Sequence, residues 1–171
     1  SSDADDPDDI DEEEEEEEEE AEDEEDESSM RHTRGAHLAS LFLKTFFKTI
    51  RRDWGKMDKY RIDKFYTLIR LMMYQVYKYM GVRKWNYGII RLFNDGLYDE
   101  VLSQIPNGMR LHVIDLCLEE LAKVEKDVGG VETQIYMNVM EPFWSMCQME
   151  KDEVVRHRCM ENIVDKFLLK Y

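Results

Sequence analysis

The sequence predicts an all-α fold of about six helices, packed as a bundle or as a stack of antiparallel helix pairs behind an acidic tail. Three observations predict it. Apolar residues recur at i, i+3 and i+4 along almost the whole chain after residue 35, and no strand-like alternation persists. Only three prolines occur, Pro7, Pro106 and Pro142, so the periodic segments can run long. Residues 1–30 hold 21 of the 39 acids and none of the 23 bases, including the unbroken run Asp11 to Glu20. Such a stretch buries too little apolar surface to offset the entropy of ordering it. Residues 1–35 therefore read as a disordered acidic tail, and 36–171 as one helical domain of ordinary size.

The first helix spans about Ala36 to Trp54, with Leu38, Leu41, Phe42, Thr45, Phe46 and Ile50 on one stripe. Leu43, Phe47 and Trp54 form a second stripe that broadens the apolar face. After Gly55, Asp58 is the expected N-cap of a long central helix ending near Met80, with Gly81 as its C′ residue. Ile62, Phe65, Tyr66, Ile69, Met72, Met73, Val76, Tyr77 and Met80 fit its period, and Phe65 and Ile69 are expected to be almost fully buried. Leu68 and Leu71 fall off that stripe, which predicts cover on more than one side. A third helix from near Lys84 carries Trp85, Ile89, Ile90 and Phe93, and Asn94-Asp95-Gly96 breaks or kinks it before Leu97, Val101 and Leu102. Ile105-Pro106-Asn107-Gly108 is a loop, in which Gly108 supplies a positive φ or a close approach and Asn107 a cap. The fourth helix runs from about Met109 to Lys126, before Gly129-Gly130. The fifth, about Glu132 to Met149, is kinked or divided by Pro142. Asp152 caps a sixth that reaches about Leu169, with Val155, Cys159, Ile163 and Phe167 inward.

Charge separates the chain again. The whole carries −16, yet residues 31–171 hold 18 acids against 23 bases, so the pI of 4.6 describes the tail. From Arg31 to Arg91 there are 15 bases and 3 acids; from Leu92 to Tyr171 there are 8 and 15. Cys117, Cys147 and Cys159, an odd number at no framework spacing, read as a reduced, intracellular chain. No apolar run approaches a membrane span and no secretory signal opens the sequence, though a chain that starts at Ser1 makes the latter weak evidence.

No enzyme motif is present: no phosphate-binding glycine loop, nucleophile elbow, H-E-x-x-H or paired cysteines at metal spacing. His32 and His37 lack a third ligand, so no metal or cofactor is expected. Cys147, His157 and Cys159 read as helix residues, with the cysteines as small core hydrophobes, and Asp115, Glu119 and Glu120 as a solvated acidic face. Tyr66, Tyr77, Trp54 and Trp85 lie in or beside apolar stripes, where core packing explains them better than base stacking. What stands out is Lys44, Lys48, Arg51, Arg52, Lys56, Lys59, Arg61 and Lys64, eight bases against Asp53, Asp58 and Asp63. Such a concentration neutralises RNA phosphates, accepts an acidic protein segment, or serves solubility. The acidic tail binds basic proteins, repels wrong nucleic-acid contacts, or folds back on this patch.

Phe46-Phe47-Lys48-Thr49-Ile50-Arg51-Arg52-Asp53-Trp54, followed by Met57-Asp58-Lys59-Tyr60-Arg61-Ile62-Asp63-Lys64-Phe65-Tyr66-Thr67-Leu68-Ile69-Arg70, resembles the ribosomal RNA processing protein 1 family. Ile105-Pro106-Asn107-Gly108 with His112, Ile114-Asp115 and Leu118-Glu119-Glu120-Leu121 resembles its second hallmark. Met140-Glu141-Pro142-Phe143 and Lys151-Asp152 resemble its third, so the likeness covers about residues 38–168. The resemblance implies a HEAT-like, non-catalytic nucleolar assembly factor of the large ribosomal subunit. It implies other assembly factors as the main partners, pre-ribosomal RNA nearby, and structural roles for Trp54, Asp63, Phe65, Pro106, Asn107, Gly108, His112, Asp115 and Pro142. The family has further helices before the position of Leu38, where this chain carries its acidic tract, so the first helices are expected to be lacking or replaced. The competing reading is a chaperone or adaptor whose tail shields basic nuclear proteins.

Overall fold

The computed structural model describes residues 33–170. The expectation of a disordered tail falls outside them as far as residue 32. The chain divides into two units, Ser1–Leu38 and Ala39–Tyr171. In the first, residues 33–38 are helical; the architecture below is that of the second.

Seven helices and no strand make up the described residues, against about six expected. α1 runs over 33–53, its part from Ala39 lying in the second unit, and is followed by a 3-10 turn at Trp54–Lys56. α2 is Ile62–Val82; α3 is Tyr87–Leu97, continued by a π turn at Tyr98–Leu102. α4 is Asn107–Val128, α5 Thr133–Val139 and α6 Glu141–Met149. α7 is Glu153–Cys159, carried on through a π turn at Met160–Asp165 into Lys166–Lys170.

Contacts between helices fix their directions. Along α2 and α4, the Tyr66 carbonyl accepts from His112 at 3.1 Å, Arg70 meets Glu119 at 2.8 Å, and the Tyr74 hydroxyl donates to Asp127 at 2.6 Å. Both numbers climb together, so α2 and α4 are parallel. The same holds for α4 and α7, through Asn107 with Asp152 at 2.7 Å and Asp115 with Arg158 at 3.1 Å and Asn162 at 2.7 Å. On the other side, the Ser40 hydroxyl donates to the Leu92 carbonyl at 3.0 Å and Arg51 pairs with Glu100 at 2.7 Å, making α1 and α3 parallel. Asn94 then reaches the Asn138 carbonyl in α5 at 2.8 Å. Helices alternate between two layers, α1, α3, α5–α6 and α2, α4, α7. That is a stack of antiparallel helix pairs, not a bundle.

The core lies between the layers. α2 buries Ile69, Met73, Val76, Tyr77 and Met80, and α4 buries Met109, Val113, Ile114, Leu116, Cys117, Leu121 and Val124. Val155, Cys159 and Ile163 close it from α7, with Phe167 half-buried on Tyr136 and Trp144. The cysteines are free, Cys117 and Cys159 among the core side chains.

Several local expectations are corrected. In α1 the second stripe gives the core face: Leu43 and Phe47 are buried, joined by Ile50 of the first stripe, whereas Leu41 and Phe42 are 60% and 63% exposed. Leu68 and Leu71 of α2 are likewise exposed, and Phe65 is half-buried rather than fully buried. Asp58 caps the turn before α2, accepting from the backbone of Tyr60 and Arg61, and the helix proper begins at Ile62. Gly81 stays inside α2; a Cβ there would lie 3.0 Å from Val128, so the residue serves the close approach of α2 to α4. The left-handed turn that stops α2 uses Lys84 and Trp85 instead, at φ 54 and 56, with the Trp85 N–H bonded to the Met80 carbonyl. This strained pair delays α3 to Tyr87, where Asn86 caps it through the Ile89 N–H. Asn94-Asp95-Gly96 does not break α3. Pro142 sits in the first turn of α6, after the chain divides at Met140. Gly129, at φ 96, ends α4 as its placement suggested.

Burial at α2 sets an expected contrast. Ile69→Ala, at a side chain with no exposure, lowers unfolding free energy by about 2–5 kcal/mol. Leu71→Ala, on the open face, changes it by less than about 1 kcal/mol. Denaturant unfolding of the two variants checks this.

Candidate interaction surface

The eight bases lie on α1, the Trp54–Lys56 turn, the turn at 59–61 and the start of α2, but most already have partners. Lys44 stands 3.4 Å from Asp99, and Arg51 and Glu100 form a largely covered pair. Arg52 and Lys56 both bind Asp53, at 2.8 and 3.3 Å; the hydrogen bond from Arg52, then that from Lys56, holds its carboxyl down at about 2. Arg61 binds Asp58 at 2.7 Å and lowers its pKa. Lys48, Lys59 and Lys64 are exposed and form no ion pair among the described residues; Lys59 stands 5.0 Å from the Tyr60 ring. Thr45, Lys48, Thr49, Arg51 and Arg52 share an open recess of about 400 Å³ with Gln104 and Ile105 from the loop before α4. Cations, hydroxyls and an exposed isoleucine there suit a phosphate-bearing or acidic partner better than a small apolar ligand.

The motif residues gather at the start of α4. Trp54 lies against Gly108, where a Cβ would sit 3.2 Å from the indole nitrogen, and against Tyr66 at 5.9 Å. Of the two roles foreseen for Gly108, close approach is the one present; its φ is not positive. His112 stacks on Tyr66 at 4.2 Å, and burial lowers its pKa. Asn107 is no cap: its amide nitrogen donates to Asp152 and its oxygen accepts from Arg110 at 3.0 Å. Asp152 caps α7 through the Val154 and Val155 N–H groups, as expected, so one carboxylate joins a cap to a tertiary contact. Asp115 holds Arg158 and Asn162. Pro142 is buried at α6, while Asp63 is exposed and Phe65 half-buried on α2. Asn107, His112 and Asp115 couple the second layer; Lys48, Lys59 and Lys64 are exposed.

Sequence reasoning missed Arg110 and Glu150. Arg110 is 6% exposed, donates to Glu150 and is kept covered at the foot of α4. Its place three residues after Asn107 was the available signal. Among the described residues, no group of side chains suited to a metal ion occurs, and no helix is long and apolar enough to cross a membrane.

A family model described as "Nucleolar protein, Nop52" matches residues 28–171. Ribosomal RNA processing protein 1 homolog B of Homo sapiens is 38% identical over 135 residues, which is 74% of this chain and 17% of the relative. Its Mus musculus counterpart is 38% identical, with 74% and 18% covered. Ribosomal RNA processing protein 1 homolog A of Homo sapiens is 33% identical over 130 residues, 73% of this chain and 27% of the relative. The chain thus spans well under a third of the length of these relatives.

Two outcomes follow from the α4 foot. Gly108→Val drives its side chain into Trp54 and lowers stability by about 1–3 kcal/mol, read by denaturant unfolding. His112 stays neutral in the fold at pH values where the unfolded chain, near 6.5, takes up a proton. Both states are neutral above that pKa, so its penalty appears only as pH falls through it, toward the lower folded value. The drop in melting temperature between about pH 7.5 and 5.5 is therefore smaller in His112→Gln.

Proposed function

Because the chain belongs to the Nop52 family of nucleolar proteins, we propose that it is a non-catalytic nucleolar scaffold in ribosome biogenesis, supporting the processing of ribosomal RNA. The observation that carries this reading is the extent of the family match, residues 28–171, which takes in the whole helical stack. The names of the relatives point to ribosomal RNA processing, and homologous folded bodies commonly keep the surfaces their roles require. The geometry favours holding over chemistry. Most polar side chains of the motif residues tie α2, α4 and α7 together, which leaves a stiff frame with outward cations at Lys48, Lys59 and Lys64. Other assembly factors are its main partners, and pre-ribosomal RNA meets the free lysines.

The test separates RNA from protein contact. If the three free lysines hold single-stranded phosphates, log affinity for a pre-ribosomal RNA fragment falls with log salt at a slope of about −0.7 per contact. Replacing all three by Gln then makes the slope shallower by about 2 and weakens binding to all sequences alike. An unchanged slope assigns this surface to protein. Removing residues 1–30 tests the scaffold itself: affinity capture from cells retains preribosomal particles if the helical stack does the binding, and loses them if the acidic run does.

A further inference from the structure

The first helix pair carries an open apolar groove that nothing above uses. Ala39, Phe42 and Leu43 of α1, Leu68, Leu71, Met72, Gln75, Val76 and Tyr79 of α2, and Phe93 of α3 enclose about 290 Å³, almost without polar atoms. Phe42, Leu68 and Leu71 are 63%, 43% and 54% exposed. Scattered surface leucines need no explanation, but large apolar side chains converging on one cleft mark a binding site. Phe42 lies on the stripe first expected to face inward, and Leu68 and Leu71 lie off theirs, where a second cover was expected.

We infer that this groove receives an amphipathic helix of a second protein, one with acidic residues beside its apolar anchors. The form of the occupant follows from the groove, which is bounded by two helices. A third helix fits such a cleft by placing its ridge between them, with anchors at i, i+3, i+4 and i+7. The charge of the occupant follows from the rim. Residues 39–52 contain no Asp or Glu, and neither do residues 64–94. On α2, Lys64, Leu68, Leu71, Gln75 and Lys78 fall in one helical row, so bases bracket the apolar stretch at both ends. Arg83 lies over the Tyr79 ring at 3.5 Å. A second copy of this chain is a poor occupant, because two such faces would set base against base. The inference rests on the groove and its charges and shares only Lys64 with the RNA-contact reading above.

The test uses the full chain. A photo-cross-linking benzoylphenylalanine in place of Leu71 is introduced in cells, the adduct is sequenced, and the attached peptide is synthesised. The expected adduct is a segment of another protein with helical apolar spacing and flanking Asp or Glu. That peptide binds the full chain, and Leu71→Glu weakens binding by at least about tenfold. Lys64→Glu with Lys78→Glu weakens it further as salt is lowered. Arg156→Glu, exposed on α7, leaves it unchanged. Because Leu71 and Lys64 are exposed, melting curves of the variants should match the parent; if Leu71→Glu misfolds, Leu71→Ser and the double charge reversal carry the test. An adduct on a second copy, within the same chain or on nucleic acid overturns the inference. So does the absence of any adduct, or a peptide without acids that ignores Lys64 and Lys78.

Discussion

The parallel packing of α2 on α4 holds the rest in place, and the carboxylate buried within it is Glu120. That carboxylate is 2% exposed overall and is gripped by Arg70 from α2 and by Lys123, at 2.7 Å, from its own helix. A carboxylate taken out of water without cations is costly, and one with two is sustained only in a single register. Ile69 and Met73 lie beside Arg70 in sequence, while Cys117, Leu121 and Val124 flank Glu120. Sliding α2 by a turn would strand the charge and misalign both apolar rows at once. The pair therefore acts less as glue than as a stop. Once α2 and α4 are registered, Asn107, Asp115 and His112 have fixed positions from which α7 and Trp54 are reached.

The charge asymmetry of the sequence acquires a meaning that averaging concealed. The excess of bases before Leu92 and of acids after it is partly an internal match. Lys44 and Arg51 of α1 meet Asp99 and Glu100, and Arg70 of α2 meets Glu119 and Glu120. Each layer carries its cations on one helix and its anions on the next. Lys48, Lys59 and Lys64 of the basic concentration are left over, forming no ion pair among the described residues.

The helical arms, the division near Pro142 and the Asp152 cap were legible because each depends on local chemistry, periodicity, proline and a side-chain acceptor. The inward face of α1 was not. Apolar side chains surround that helix, from Leu43 and Phe47 on one side to Leu41 and Phe42 on the other, so its period names no unique inside. A face made for the core and a face made for a partner obey the same spacing. The candidate site shows the complementary blindness: eight bases were visible as composition, but Asp99 and Glu100, which occupy Lys44 and Arg51, lie about 50 residues along the chain. Gly81 and Gly96 misled for a related reason. Their small size serves a neighbouring helix, at Val128 and at Lys44, and not a bend in their own.

Although no motif repeats in the sequence, the contacts between helices of one layer repeat in distance along it. Ser40 and Leu92 are 52 apart, Tyr66 and His112 46, Arg70 and Glu120 50, Asn94 and Asn138 44, Asn107 and Asp152 45, Asp115 and Arg158 43. These six bonds close chain segments of 43 to 52 residues, and none of them ties the first pair to the last. The entropy lost in each closure is similar and is recovered before the next begins. Such a molecule has no obligatory end from which to fold, and its order can grow outward from α2 and α4 in either direction. Its outermost pairs, held from one side only, are then free to loosen without unravelling the middle. A stack built this way yields at its margins while keeping its centre in register.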